Sequence, residues 1–301
     1  AARGNGVGID GVAPRVLVMP VRAVPDGDER DKDVANAIRY AVDNGAHIVN
    51  MSFGKGYSPA KGAVDEAVRY AEQRGVLLVH AAGNEGDDLA TTPNFPTDAY
   101  DAGGEASVWL EVGASGWQGG EGLAAPFSNY GAEQVDVFAP GVDIRTADHG
   151  GAMQVNSGTS FAAPVVSGVA ALIMAYYPEL TAAQVRQVIL ETARPYRATM
   201  VTRPGSEGET VDFGDLSVTG GIVDALSAGR EARGAAVGRT VLVGPADAAA
   251  PAALEESAAA AVSGVRAVRA APMAQAGSAP VPCAVDQCSE ATVMSLFAIL
   301  S

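Results

Sequence analysis

The first half of the chain alternates two kinds of segment, and that alternation limits the folds open to it more than any other feature. Short runs rich in β-branched residues, "RVLVMPV", "HIVNMSF" and "VLLVHAAGN", are separated by two amphipathic stretches, "DKDVANAIRYAVDNG" and "SPAKGAVDEAVRYAEQRG". Strand, helix, strand, helix, strand in that order is the signature of a parallel α/β sheet flanked by helices. In the first helix Val34, Ala37, Ile38, Ala41 and Val42 share one face and Gly45 ends it; in the second, Val64, Ala67, Val68 and Ala71 do the same. Ser58 is the expected cap of that second helix, with Pro59 in its first turn and Gly75 as its left-handed stop.

Further along, "SVWLEVGAS" and "QVDVFAPG" read as two more strands, and "TAAQVRQVILETA" opens with Thr181 and Gln184 at capping-box spacing. The run from Phe161 to Tyr177 carries no charge. It is shorter than the ~20 residues a bilayer span needs, and it contains Pro164, Ser167 and Gly168, so a buried core helix is the expectation. Regular structure is expected as far as about Ala228. Residues 1–228 then form the principal domain, and 229–301, dominated by Ala, Gly, Pro and Ser, form a low-complexity tail or linker.

A formal charge of -15 without a basic cluster argues against a nucleic-acid-binding face or a polybasic membrane surface. The two cysteines, Cys283 and Cys288, both lie in the final segment. They are compatible with a local disulfide and export, and equally with two thiols in a tail. The opening "AARGNGVGIDG" has neither an initiator methionine nor the design of a signal peptide, so the chain reads as a processed product or a fragment.

Parallel sheets bind ligands beyond the carboxyl ends of their strands. Three segments put small or polar residues there: "NMSFG", "AAGNEG" and, before the long helix, "SGTS". Together they can line one cleft. Ser160 at a helix N-terminus gains from backbone N–H groups aimed at any negative charge forming beside it, and Asn84 on a Gly-flanked turn can add a second donor. Taken singly, each has a plain alternative, a turn or a cap.

At these residues the sequence resembles the subtilases, the subtilisin-like serine peptidases. "SGTSFAAPVVSGVAAL" is similar to the family's nucleophile motif, "VHAAGNEG" to the segment carrying its oxyanion asparagine, and "IVNMSFG" to the strand and edge that bind the peptide backbone. "GNGVGIDGVAP" is similar to the loop that follows the catalytic-histidine helix. The resemblance covers roughly residues 1–228, as the C-terminal part of a catalytic domain with a subtilisin-like three-layer fold. It implies Ser160 as nucleophile and Asn84 as oxyanion donor beside the Ser160 N–H. Ser52, Phe53 and Gly54, with Ala81, Ala82 and Gly83, would wall the primary specificity pocket. It implies a polypeptide substrate, no required cofactor, and an extracellular or periplasmic location.

One departure is large. Subtilases order their triad Asp, His, Ser, and this sequence has no His-Gly-Thr-His. The expectation is that the Asp and His segments are missing because the chain starts after them. None of the three histidines is a good substitute. His47 sits at the wrong end of its strand, His80 reads as a packed, hydrogen-bonded residue beside the pocket wall, and His149 lies in a Gly-rich loop. Asp10 falls after the position of the histidine helix and is rejected as the triad acid. Asn5 resembles part of a calcium loop, but calcium takes at least six oxygen ligands. Structural calcium is therefore left to the full-length protein.

The function implied is a serine endopeptidase working through an acyl-enzyme on Ser160, carried here on a piece expected to be inactive alone. The alternative is a catalytically inactive, subtilase-like peptide-binding module. An α/β-hydrolase is suggested by Gly158, Ser160 and Ala162, but that fold places its histidine after the serine. No histidine follows Ser160.

Overall fold

The structure, a computed structural model, describes residues 8–24, 29–147, 152–240 and 296–300, with 237–240 and 296–300 described through their backbone alone. The five expected strands and two expected helices are present. They are β1 (Leu17–Val21), α1 (Asp31–Asp43), β2 (Ile48–Met51), α2 (Lys61–Gln73), β3 (Leu77–Ala81), β4 (Trp109–Ser115) and β5 (Val137–Pro140). A hairpin of β6 (Ile144–Ala147) and β7 (Met153–Asn156) leads into α3 (Thr159–Tyr176) and α4 (Ala182–Glu191). The short strands β8 (Arg194–Pro195), β9 (Met200–Thr202), β10 (Thr210–Asp212) and β11 (Gly221–Ile222) precede α5 (Ala225–Thr240) and a final strand, β12 (Leu296–Leu300).

The main sheet runs β1-β12-β2-β3-β4-β5-β11-β8. From β2 to β11 every pairing is parallel, while β12 is antiparallel to both β1 and β2, and β8 antiparallel to β11. Every residue of β2, β3 and β4 is buried, as the near-continuous apolar runs of a doubly covered sheet require. Alternation then sorts the side chains by face. Ile48, Leu77, Val79, Leu110 and Val112 join the cluster under α3, α4 and α5, and Val49, Met51, Leu78 and Trp109 join that under α1 and α2. This is the subtilisin-like three-layer arrangement. The long apolar helix α3 packs across β2 to β5, with Ala162, Ala163, Val166 and Ala170 fully buried, as expected of a core helix.

Gly45 and Gly75 hold φ of +84° and +67° at the ends of α1 and α2, and Thr181 and Gln184 form the full capping box on α4. Ser58 does not cap α2. The helix begins at Lys61, and the Ser58 hydroxyl and the Ala60 N–H both go to the carboxylate of Asp31, at 2.8 and 2.7 Å. Burial opposes ionisation of Asp31, yet bonds from Lys55, Ala60 and Ser58 outweigh it and hold the carboxyl below its usual range. A charged acceptor displaces local capping because bonds to an ionised group are the stronger ones.

Regular structure continues past residue 228. The expected boundary falls inside α5, whose Ala228, Ala232 and Ala236 are buried at i, i+4 spacing and pack toward α3 and α4. A stripe of alanines permits close helix approach, and the same composition reads as low complexity in the sequence. Cys283, Cys288, His149 and Asn5 lie outside the described residues.

Candidate active site

The three segments expected to share a cleft meet at the start of α3. Ser160, in its first turn, is half-buried, and its Oγ donates to the carbonyl of Ser52 at 3.4 Å. In return the Ser52 hydroxyl donates to the carbonyl of Ser160 at 3.0 Å. The helix demands that second bond. In an α-helix the carbonyl of residue 160 would accept the amide of residue 164, and residue 164 is proline, which has none. Ser52 fills the vacancy. Its own hydroxyl accepts from Asn50 Nδ2 at 2.8 Å, and Asn50 Oδ1 accepts from Ser167 on α3 at 2.9 Å. A buried polar chain therefore stitches β2 to the helix that carries Ser160.

Asn84 is exposed at the end of β3, and its Oδ1 accepts from both the backbone N–H and the hydroxyl of Thr159, at 2.8 and 3.0 Å. Thr159 Oγ1 in turn accepts from the Gly83 N–H at 3.1 Å. With its oxygen held on two donors, the Asn84 amide presents its NH2 group away from Thr159. Asn129 fixes the rest of this turn. It is buried, accepts from the N–H groups of Glu85 and Asp87, and donates to Ala82 and to Glu85.

The two expected pocket walls face each other across Asn94. Gly54 has no room for a side chain, since a Cβ there would lie 2.2 Å from Asn94 Oδ1. Asn94 Nδ2 donates to the carbonyls of Ala81 and Ala82 at 3.2 and 3.1 Å. Ser52 to Gly54 and Ala81 to Gly83 are thus brought together, with a polar side chain between them that sequence reading missed. Beyond Gly54 a groove of about 650 Å3 is lined by Lys55, Gly56, Tyr57, Glu29 and Arg30 among others.

Neither described histidine serves Ser160. His47 precedes β2, at the end opposite Ser52. His80 is fully buried, with Nδ1 2.9 Å from Glu111 Oε1 and Nε2 2.7 Å from the carbonyl of Phe53. Asp10 is exposed, before β1.

A family model described as the subtilase family matches residues 1–220. The chain belongs to the subtilase family. Among subtilase relatives, the thermostable alkaline protease of Halalkalibacterium halodurans is 36% identical over 194 residues, which is 64% of this chain and 49% of that protein. The alkaline elastase YaB of Bacillus sp. (strain YaB) is 33% identical over 231 residues, 76% of this chain and 53% of the relative. Of solved structures, the patellamide maturation protease PatA matches with TM-score 0.54 and 32% identity, over 69% of this chain and 71% of that one. The chain spans about half the length of the curated relatives it matches.

Proposed function

We propose that this subtilase chain carries the acylation half of a serine endopeptidase site: Ser160 attacks a peptide carbonyl, and the Asn84 amide with the Ser160 N–H holds the resulting oxyanion. The observation that carries this reading is the pinned Asn84, whose Oδ1 rests on Thr159 while its NH2 stays free to donate to a charge forming at Ser160. Ser52, Phe53, Gly54, Ala81, Ala82 and Gly83 wall the pocket for the residue before the scissile bond, with Asn94 as its polar floor. The substrate is a polypeptide bound extended along the Ser52–Gly54 edge, and the setting is outside the cytoplasm, as the family suggests.

Among the described residues Ser160 has no histidine beside it. The reading therefore has the base and its carboxylate partner supplied by residues other than those described, and it expects no peptide turnover from the described residues alone. The same observation favours a second reading, a peptide-binding module that performs no chemistry.

Chemical rescue tests the two. An activated ester of a short peptide is offered to the chain with and without added imidazole, beside Ser160→Ala and Asn84→Ala. The proposal expects imidazole-dependent hydrolysis that Ser160→Ala abolishes. Asn84→Ala should lower it about a hundredfold, a scale taken from the loss of this kind of donor in subtilisin itself. Peptide binding with no Ser160-dependent hydrolysis at any imidazole concentration selects the binding module. Peptide cleavage without imidazole, abolished by Ser160→Ala, overturns the claim that the base lies elsewhere.

A further inference from the structure

His80 and Glu111 are polar residues on an otherwise apolar face. They are direct partners in the parallel register of β3 and β4, and both point into the layer under α1 and α2. Around them stand the rings of Trp109, 5.4 Å from the imidazole, and Phe53, edge-on at 6.5 Å. A buried ion pair is weak as a source of stability, since apolar residues of similar volume often replace one at no loss. Its position suggests another use.

The proton inventory is constrained. The Phe53 carbonyl can only accept, so His80 Nε2 carries a proton and donates it at 2.7 Å. Nδ1 faces both carboxylate oxygens of Glu111, at 2.9 and 3.0 Å, with one proton between them. Glu111 is itself oriented: Trp109 Nε1 donates to its Oε2 at 2.8 Å, and its backbone N–H donates to Asp136 Oδ2 at 2.8 Å, whose Oδ1 accepts from Arg186 at 2.7 Å. Only Nε2 faces Phe53, so the proton shared between Nδ1 and Glu111 is a second one, additional to that on Nε2, and lets both ring nitrogens be bonded at once.

Phe53 follows Ser52 in one pocket wall, and His80 immediately precedes Ala81 in the other. The bond therefore crosses between the walls from beneath. It also fixes an orientation. The Phe53–Gly54 peptide is planar and trans, so a carbonyl anchored toward His80 turns the Gly54 N–H to the opposite side. That amide is then available to the backbone of a peptide extended along Ser52–Gly54.

We infer that His80, held in place by Glu111, is a positioning residue for peptide binding, aiming the Gly54 N–H by clamping the Phe53 carbonyl. The inference rests on the peptide-binding reading of the cleft. Two ligands separate the effects: acetyl-Ala-Ala-Ala-Leu acid, long enough to run along the edge, and acetyl-leucine, which reaches only the pocket. Their affinities for the full chain are compared by calorimetry in the unmodified protein and in His80→Leu, His80→Gln, Glu111→Leu and Glu111→Gln.

His80→Leu should lower the ratio of long-peptide to acetyl-leucine affinity about tenfold, as expected for one lost bond of about 1.4 kcal/mol. Glu111→Leu should lower it less. His80→Gln and Glu111→Gln should restore it, since an amide can donate to Phe53 in the first and to Nδ1 in the second. In 15N-histidine spectra, an exchange-protected Nε2–H of His80 should persist in Glu111→Gln. A falling melting temperature with an unchanged ratio in both leucine variants would overturn the clamp and leave peptide binding standing. No binding of the long peptide by the unmodified chain would remove the peptide-binding reading and the clamp with it. If His80→Leu fails to fold, the ratio in Glu111→Leu against Glu111→Gln decides.

Discussion

The Ser52 hydroxyl lies 3.0 Å from the carbonyl oxygen of Ser160, in the place where the amide of residue 164 would stand if that residue were not proline. A residue at the end of β2 thus completes the helix that carries Ser160, so the Ser52–Gly54 segment and Ser160 are set by one bond. Ser52→Ala removes the donor and leaves a part-buried carbonyl without it. The expected cost is about 1–3 kcal/mol, read as a lower denaturation midpoint at unchanged slope. Ser167→Ala, one step further along the same chain, should cost less, because Asn50 keeps its bond to Ser52.

On the proposed reading of the cleft, Asn94 sets the depth of the pocket. Replacing it with Gly removes two bonds to the wall carbonyls of Ala81 and Ala82 and vacates the space in front of Gly54. The variant should be less stable by about 1–3 kcal/mol and yet gain affinity for peptide acids ending in phenylalanine relative to those ending in alanine. Calorimetric binding of the two peptides checks it; an unchanged preference would mean that Asn94 does not stand in the pocket.

The helix start at Ser160 and the turn at Asn84 were legible because each is local: a few adjacent residues specify a helix start or a strand end. Strands and helices up to β5 were legible because burial on one face or two leaves a period in the sequence. Asn94, Asn129 and the His80–Glu111 pair were not, since each depends on register or on loop segments meeting across the sheet. The Ser58 cap failed for a related reason, a carboxylate on another helix outcompeting a local choice. The only local signal for the Ser52 bond was Pro164 within an otherwise regular helical pattern, which announces an orphaned carbonyl four residues earlier without saying what will satisfy it.

Asp136 gives the fold a pH dependence of definite sign. Burial pushes its carboxyl up to about 7, against the attraction of Arg186 and the bond from the Glu111 N–H. A group whose folded value is raised binds its proton more tightly when folded. Its contribution to stability is full below the unfolded value near 4 and is lost as pH rises through about 7. Asp136→Asn should flatten that part of the stability profile between pH 4 and 7. Urea melts at intervals across the range test it; an equal slope in both proteins would place the dependence elsewhere.

Thr159 is the residue on which Asn84, the proposed oxyanion donor, rests. Both its backbone N–H and its hydroxyl reach Asn84 Oδ1, and the hydroxyl also takes the Gly83 N–H. Thr159→Val keeps the shape and the backbone bond but removes the hydroxyl, so the Asn84 amide loses one of two anchors and Gly83 loses its acceptor. Ser160-dependent, imidazole-rescued ester hydrolysis should fall about tenfold, on the scale of one hydrogen bond of about 1.4 kcal/mol, while ground-state peptide affinity stays near that of the unmodified chain. That split marks an interaction made mainly in the transition state. In Thr159→Val combined with Asn84→Ala, the valine should add nothing further, because the side chain it served is gone. Additive losses in the double variant would show that Thr159 acts through the helix start rather than through Asn84.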